Sequence, residues 1–459
     1  MTQRREPRAR STRGDRGVRP WDVLARPGFR RLFVADVVSN VGDWVGLLAV
    51  MALAARVASR AELGVAAVMS SRMIPGLVLG PLSGVLADRW DRRRIMLGVN
   101  GGRALILVPL PFANSLWLLC LAAFFLEALA DLWGPARHAS IPHLVDRHQL
   151  PAANGLSLVA VYGTLPLGSG LFAGLVAVGG HVSVVGVELP RETIAIWFDV
   201  LTFALAVLVL RQVRLPGSTR VLAQRASLSE TVRELREGVG FVIRHRVVRV
   251  IVVCLPLGVG LGSSLVPLAP VLSERVLRVR SAGFGLLIAA LGTGAALSIV
   301  AATMLGTRLS NRVLFSGALM GSGIAVVAVA AWATLPSALL AIAAVGLGAG
   351  LAYSAGFSVV QEVVPDDLRG RVFGVLNQAL RLALLGSFTL WPIVAAVLDD
   401  FLGGKRIEIG GISHTVDGTR VALWLAGAAI VAVALFAARS VRRANNFADA
   451  HHTSPSVKH

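Results

Sequence analysis

Runs of about twenty apolar residues alternate with short polar breaks along most of the chain, and each run is long enough to cross roughly 30 Å of hydrocarbon. The pattern predicts twelve membrane spans, over 32–55, 65–86, 95–112, 116–136, 153–178, 193–210, 247–269, 282–305, 313–333, 337–359, 373–398 and 421–438. The runs are too long and too evenly apolar for barrel strands, which alternate in short segments. The break between the sixth and seventh runs is longer, RQVRLPGSTRVLAQRASLSETVRELREGVGFVIRHR. Its second half becomes amphipathic after Ser229, a candidate helix cap, which predicts a helix lying on the membrane surface. The predicted organisation is a basic tail (1–30), a six-helix bundle (31–211), a linker with that helix (212–246), a second six-helix bundle (247–438) and a second tail (439–459).

Composition agrees with this. Hydrophobic residues make up 55% and charged residues 15% of the 459. Mean hydropathy is +0.70, and soluble domains carry about 25% charge. The net charge of +19 would suit a nucleic-acid partner if it lay on one soluble face. The arginines instead flank the spans, as the positive-inside rule requires. The N-terminal tail, the knot at 89–94, the linker, Arg308, Arg312, Arg369, Arg371 and 439–443 fall on one side, predicted to be cytoplasmic with both termini. SERVLRVR, 273–280, is the exception on the other side. Cys120 and Cys254 fall inside spans and are read as packing residues. His138, His143 and His148 recur every fifth residue, share no helix face, and are read as loop residues rather than metal ligands.

Two segment pairs point to a duplication. LVDRHQLPAANG (144–155) is similar to VVPDDLRGRVFG (363–374), and GVLADR (84–89) is weakly similar to GTRLSNR (306–312), at nearly the same shift of about 219 residues.

The knot GVLADRWDRRR gathers six charges between two apolar runs. Gly84, Leu86, Ala87, Asp88, Arg89, Arg92 and Arg93 resemble the loop motif between helices two and three of the major facilitator superfamily, with Asp91 where that family usually has Gly. PGFRRLFVADVVSNVGDWVGLLAV, PARHASIPHLV and QEVVPDDLRGRVFG resemble one branch, of enterobactin-type siderophore exporters and macrolide or multidrug efflux proteins, over residues 21–440. The resemblance implies an all-α membrane fold of two pseudo-symmetric six-helix bundles. It also implies that Gly84, Asp88, Arg89, Asp91, Arg92 and Arg93 form a gate latch against the start of helix eleven; the alternative is a topology anchor alone. Gly76, Gly80 and Gly84 lie on one face of span two, a spacing that admits a close neighbour, which the resemblance implies is helix eleven.

Charges inside the membrane are costly and mark cavities or partners. Span one places Asp36, Asn40 and Asp43 on one face, and span four carries Glu127 and Asp131 a turn apart. Depth counting puts Asp36 level with Asp131, and Asp43 level with Glu127 near the midplane. Arg103 and Arg381 are the cations at the depth of Asp131, which suggests an Arg103–Asp131 ion pair. Glu127 has no obvious cation at its depth, which suits reversible protonation and makes it the leading coupling residue. Asp36 and Asp43 come next, and in the similar branch Asp43 serves packing or capping as well. Many drug/proton antiporters of the superfamily carry an Arg in helix four, and the predicted span four has none. Asn100 stands where the branch often has Asp.

There is no GxxxxGK[ST] stretch and no large soluble domain, which argues against ATP-driven transport and against an enzyme. The function expected is a proton-coupled exporter of amphiphilic small molecules in a bacterial inner membrane. Its partners would be substrate, protons and lipids, with no cofactor or metal, and it would work as a monomer. A lipid or lysolipid flippase on the same fold and a non-transporting membrane scaffold are the alternatives.

Overall fold

A computed structural model describes residues 20–452, apart from 179–181, 185–186, 214–227, 280, 307, 332–333, 403–405, 410–411 and 416. Twelve of its helical stretches are long and apolar enough to cross a membrane. In chain order the helices are α1 (Pro27–Val57), α2 (Ala61–Arg89), α3 (Arg92–Leu107), α4 (Leu116–Ser140), α5 (Leu150–Tyr162), α6 (Thr164–Val178) and α7 (Thr193–Leu210). Then come the linker helix α8 (Leu228–Arg244), α9 (Arg246–Gly262), α10 (Leu265–Val271), α11 (Ser281–Gly306), α12 (Asn311–Ala331), α13 (Leu335–Val363), α14 (Asp366–Leu402) and α15 (Gly418–His452).

Two predicted spans are broken helices, and proline accounts for both. In span five a new helix starts at Thr164, two residues before Pro166, which has no N–H to donate from a helix interior. Span seven carries Pro256, Pro267 and Pro270, and it breaks between α9 and α10 before finishing in a π turn, Leu272–Val276. Elsewhere the ends follow local chemistry. Pro27 opens α1, and the Asp91 side chain caps α3 by accepting from the Arg94 N–H at 2.8 Å. The linker helix spans Leu228–Arg244, and the side chain of Ser229, the candidate cap, lies outside those described. His138 belongs to the last turn of α4, and only His143 and His148 sit in the short turns beyond it.

The packing repeats. Spans one and six (α1, α7) pair as seven and twelve (α9, α15) do. Spans two and four (α2, α4) pair as eight and ten (α11, α13), and three and six as nine and twelve. The two copies of the duplicated segment stand at equivalent junctions, before α5 and at the start of α14. Small residues set the closest seam. A Cβ on Gly294 would lie 1.9 Å from the Ala343 carbonyl oxygen, so α11 and α13 touch backbone to backbone. Two antiparallel hairpins, β1 (Val182–Val184) with β2 (Val187–Leu189) and β3 (Arg406–Ile409) with β4 (Ile412–Thr415), occupy the equivalent junctions before spans six and twelve. Strands of three or four residues are too short to register as an alternating pattern.

Twelve crossings put the start of α1 and the end of α15 on one face, called here the terminus face, with the hairpins on the other. The halves are joined toward the hairpin face. Arg60 reaches Asp400 at 2.8 Å, the Ser70 and Thr389 hydroxyls meet at 2.7 Å, and Arg275 reaches Glu62 at 4.0 Å. Phe172 of α6 meets Phe284 of α11 edge to face at 5.9 Å. Arg275, from the exceptional SERVLRVR segment, also pairs with Asp399 at 3.3 Å, so one of its misplaced positive charges is spent on this closure. Among the described residues, no ion pair or hydrogen bond joins the halves nearer the terminus face than Arg381–Asp131. The linker helix braces the second half there, through Arg371 and Glu237 at 2.5 Å.

Candidate functional site

The interior of the first half holds a series of ion pairs whose members differ from the sequence expectation. Arg103 donates to Asp43 at 2.9 Å, not to Asp131. Its guanidinium also donates to the Leu126 carbonyl at 3.2 Å and lies 5.1 Å from the centre of the Phe203 ring. Glu127 is not without a cation: Arg72 of α2 reaches it at 2.7 Å. Counting depth along each span gives no azimuth, and it left out Arg72 on α2, which packs directly on α4.

Asp36 belongs to a separate network nearer the terminus face. It pairs with Arg137 at 2.5 Å, and both side chains are almost fully buried, 3% and 6% exposed. Trp133 and Asn40 donate to the same carboxylate at 3.3 and 3.1 Å. Helix four therefore does carry an arginine, Arg137, one residue past the predicted end of its span. Asn100 donates to the Met96 carbonyl at 2.8 Å and faces none of these groups.

A further carboxylate, Asp199 of α7, went unnoticed in the run WFDVL. It is 3% exposed. The Thr202 hydroxyl donates to it at 3.1 Å, and no cationic side chain lies within ion-pair distance among the described residues. Gly42 and Gly46 of α1 make room for it: a Cβ on either would fall 2.4 or 2.0 Å from its carboxylate oxygens. Asp43, Arg72, Arg103 and Asp199 line one small interior space with Gly46, Leu126 and Phe203. The signal in the sequence was a lone Asp in the middle of a span, with Gly at i and i+4 on another.

Asp131 pairs across the halves with Arg381 of α14 at 3.4 Å. Gly76 leaves the space that the Arg381 guanidinium enters, since a Cβ there would stand 1.7 Å from its Nη1. At Gly76 the close neighbour is thus helix eleven, through the Arg381 side chain. Of the candidate latch, Asp91 caps α3, Arg92 donates to the Ala139 carbonyl at 2.9 Å, and Arg93 donates to the Arg211 carbonyl. These three tie the loop to the first half. The side chains of Gly80, Gly84, Asp88 and Arg89 lie outside those described.

A cavity of about 420 Å³ sits on the seam at the hairpin face. Arg56, Arg191, Glu188, Glu192 and Glu274 line it with Phe284. On the second half, Tyr353, Phe357 and Phe373 stack in series at 4.3 and 5.0 Å where α13 turns into α14.

The sequence profile of the Major Facilitator Superfamily matches residues 33–388. The chain is 26% identical over 371 residues to the uncharacterized MFS-type transporter YfiS of Bacillus subtilis (strain 168), covering 78% of this chain and 84% of that one. It is 26% identical over 391 residues to the multidrug efflux pump Tap of Mycobacterium tuberculosis (strain ATCC 25618 / H37Rv), covering 81% and 87%. Its fold is similar to the crystal structure of a bacterial homolog of the human lysosomal transporter Spinster in an inward-facing, unoccupied conformation, with TM-score 0.69, 15% identity, and 91% and 98% coverage.

Proposed function

We propose that this chain, which belongs to the Major Facilitator Superfamily and is a multi-pass membrane transporter, is a proton-driven exporter of amphiphilic small molecules from the bacterial cytoplasm. The observation that carries the reading is the interior of the first half. There three carboxylates, Asp43, Glu127 and Asp199, stand among two guanidiniums, Arg72 and Arg103. Fully ionised, the group holds one unbalanced negative charge, which a low-dielectric interior disfavours strongly. A proton or a cationic substrate balances it. Two ligands that compete for the same charge are exchanged across the membrane.

The arginine distribution supports a cytoplasmic terminus face, and the likeness to multi-pass transporters of bacteria supports the inner membrane. With the halves joined at the hairpin face, this conformation takes substrate from the cytoplasm. An amphiphile meets the aromatic stack of Tyr353, Phe357 and Phe373 on one half and the charged interior on the other. Rocking the halves breaks Arg60–Asp400, Arg275–Glu62 and Ser70–Thr389 and opens the site outward, where a proton displaces the substrate. The Arg60–Asp400 pair is exposed and opens at small cost, and Arg275 is held to the buried Glu62 only at 4.0 Å. The Asp88 latch would close the cytoplasmic side in that state. The likeness to Tap, a multidrug efflux pump by name, supports export of drug-like molecules.

Ethidium, an amphiphilic cation, tests the reading. Cells expressing the chain should lose preloaded ethidium faster than cells without it, and a protonophore should abolish the difference. Equal efflux with and without the chain would count against an exporter of organic cations, and protonophore-resistant efflux against proton drive.

A further inference from the structure

We infer that Asp199, on the sixth span, is the residue that takes up and releases the coupling proton, because among the described intramembrane carboxylates it is the one with no guanidinium in ion-pair contact and a hydroxyl as its side-chain partner. The inference rests on the proton-coupled reading above and names its residue.

The interior acids differ in what meets them. Asp36 is matched by Arg137, Asp43 by Arg103, Glu127 by Arg72 and Asp131 by Arg381. Each of these pairs neutralises itself, so none needs a proton to be stable in the interior. Asp199 differs. Of the elements packed against its helix, α1 presents Asp43, Gly42 and Gly46, α3 presents Arg103, already engaged with Asp43, and α6 and the short turn Leu110–Phe112 present no charged or titratable side chain. Across the small interior space α2 presents Arg72, which is engaged with Glu127. What reaches the Asp199 carboxyl is the Thr202 hydroxyl at 3.1 Å. An ionised carboxylate so placed, with the Asp43 carboxylate beside it and both nearby guanidiniums engaged elsewhere, is strongly disfavoured, and such a group takes a proton instead.

The position also provides a route for change. Asp199 shares the interior space with Asp43 and Arg103, and that space is about 10 Å³, close to what one water needs. Phe203, which carries the Arg103 guanidinium on its face, lies one helical turn from Asp199 on α7. When the Asp199 O–H bond breaks, its proton passes to cavity water, and the new carboxylate competes with Asp43 for Arg103. When it forms again, Arg103 returns to Asp43. A proton is thereby converted into the movement of one guanidinium between α1 and α7, two helices that line the same half. Gly42 and Gly46 are the structural requirement, since any side chain there would occupy the carboxyl group's own space.

The test is infrared difference spectroscopy on the purified full chain in lipid nanodiscs, between acid and alkaline buffer. Wild type should show the C=O stretch of a protonated carboxyl group that disappears on titration. Asp199→Asn should remove that band. Asp199→Glu should restore one, and Thr202→Val, which deletes a hydrogen-bond donor and keeps the acid, should retain it at higher wavenumber. In proteoliposomes, Asp199→Asn should also lose pH-driven ethidium accumulation. A band that persists in Asp199→Asn, or that vanishes in Glu127→Gln and not in Asp199→Asn, would overturn the assignment. If wild type moves no ethidium under a pH gradient, the exporter reading fails for that cation, while the infrared result still decides for or against Asp199.

Discussion

The two halves share one packing plan and almost nothing of their interior chemistry. Deep within its spans, the first half carries Asp36, Asp43, Arg72, Arg103, Glu127, Asp131, Arg137 and Asp199. At the same depth the second half contributes Arg381, and its seams are built from glycine and alanine, as where Gly294 meets Ala343 and Gly346 meets Leu291. Duplication supplied the scaffold twice, whereas charge was kept in one copy. The difference teaches a division of labour. Under the proposed function the charged half binds and titrates, and the second half, whose glycine and alanine seams join its own helices, is the body against which it rocks.

The comparison is broken most severely at the buried pair. Arg137→Ala leaves Asp36 buried beside Trp133 and Asn40 with no cation, and should cost about 3–5 kcal/mol of stability. Thermal denaturation of the detergent-solubilised protein would read it, and Asp36→Asn combined with Arg137→Gln should recover much of the loss. Next comes Arg72→Gln, which removes a charged hydrogen bond to the half-buried Glu127, worth about 1.5–3 kcal/mol. Ethidium efflux should fall with it, because the interior then carries more unbalanced negative charge.

Gly76→Ala sharpens the contact between the halves. The added Cβ displaces the end of a flexible arginine, so stability should fall by about 1 kcal/mol or less while the Arg381–Asp131 contact is lost. Its efflux defect should match that of Arg381→Ala, and a wild-type rate in Gly76→Ala would mean that this contact has no part in transport. The smallest effect is expected at Arg60→Ala. The Arg60 and Asp400 side chains are 41% and 62% exposed, and the pair contributes to which face is closed more than to folding. Cysteine labelling from the hairpin face, at a residue placed on the seam, should rise modestly.

How much of this was legible beforehand follows from the same contrast. Hydropathy located all twelve spans, because each must satisfy the bilayer by itself. It missed the breaks at Gly163 and Ser263, where proline and tertiary packing decide. It missed the hairpins because their strands are so short. At the site, spacing placed Asp36 and Asn40 together, and they do share a hydrogen bond. The ion-pair partners were not legible. Arg103 sits at the depth of Asp131 yet turns toward Asp43, and choosing between them needs the rotation of each helix. Arg137 stands one residue beyond the apolar run of span four, and Arg72 and Asp199 are lone charges in spans two and six, with no spacing that ties them to the acids of spans one and four.

Under the proposed function, the first half couples transport to protons and the second does not. Proteoliposomes with an imposed pH gradient test it most directly, by comparing ethidium accumulation in wild type, Asp43→Asn, Glu127→Gln, Asp199→Asn and Arg381→Ala. The account predicts that the three first-half variants lose at least about tenfold of the gradient-driven accumulation, equivalent to about 1.4 kcal/mol, while Arg381→Ala slows transport and still concentrates the dye. Wild-type accumulation in all three first-half variants, with coupling abolished by Arg381→Ala alone, would contradict it.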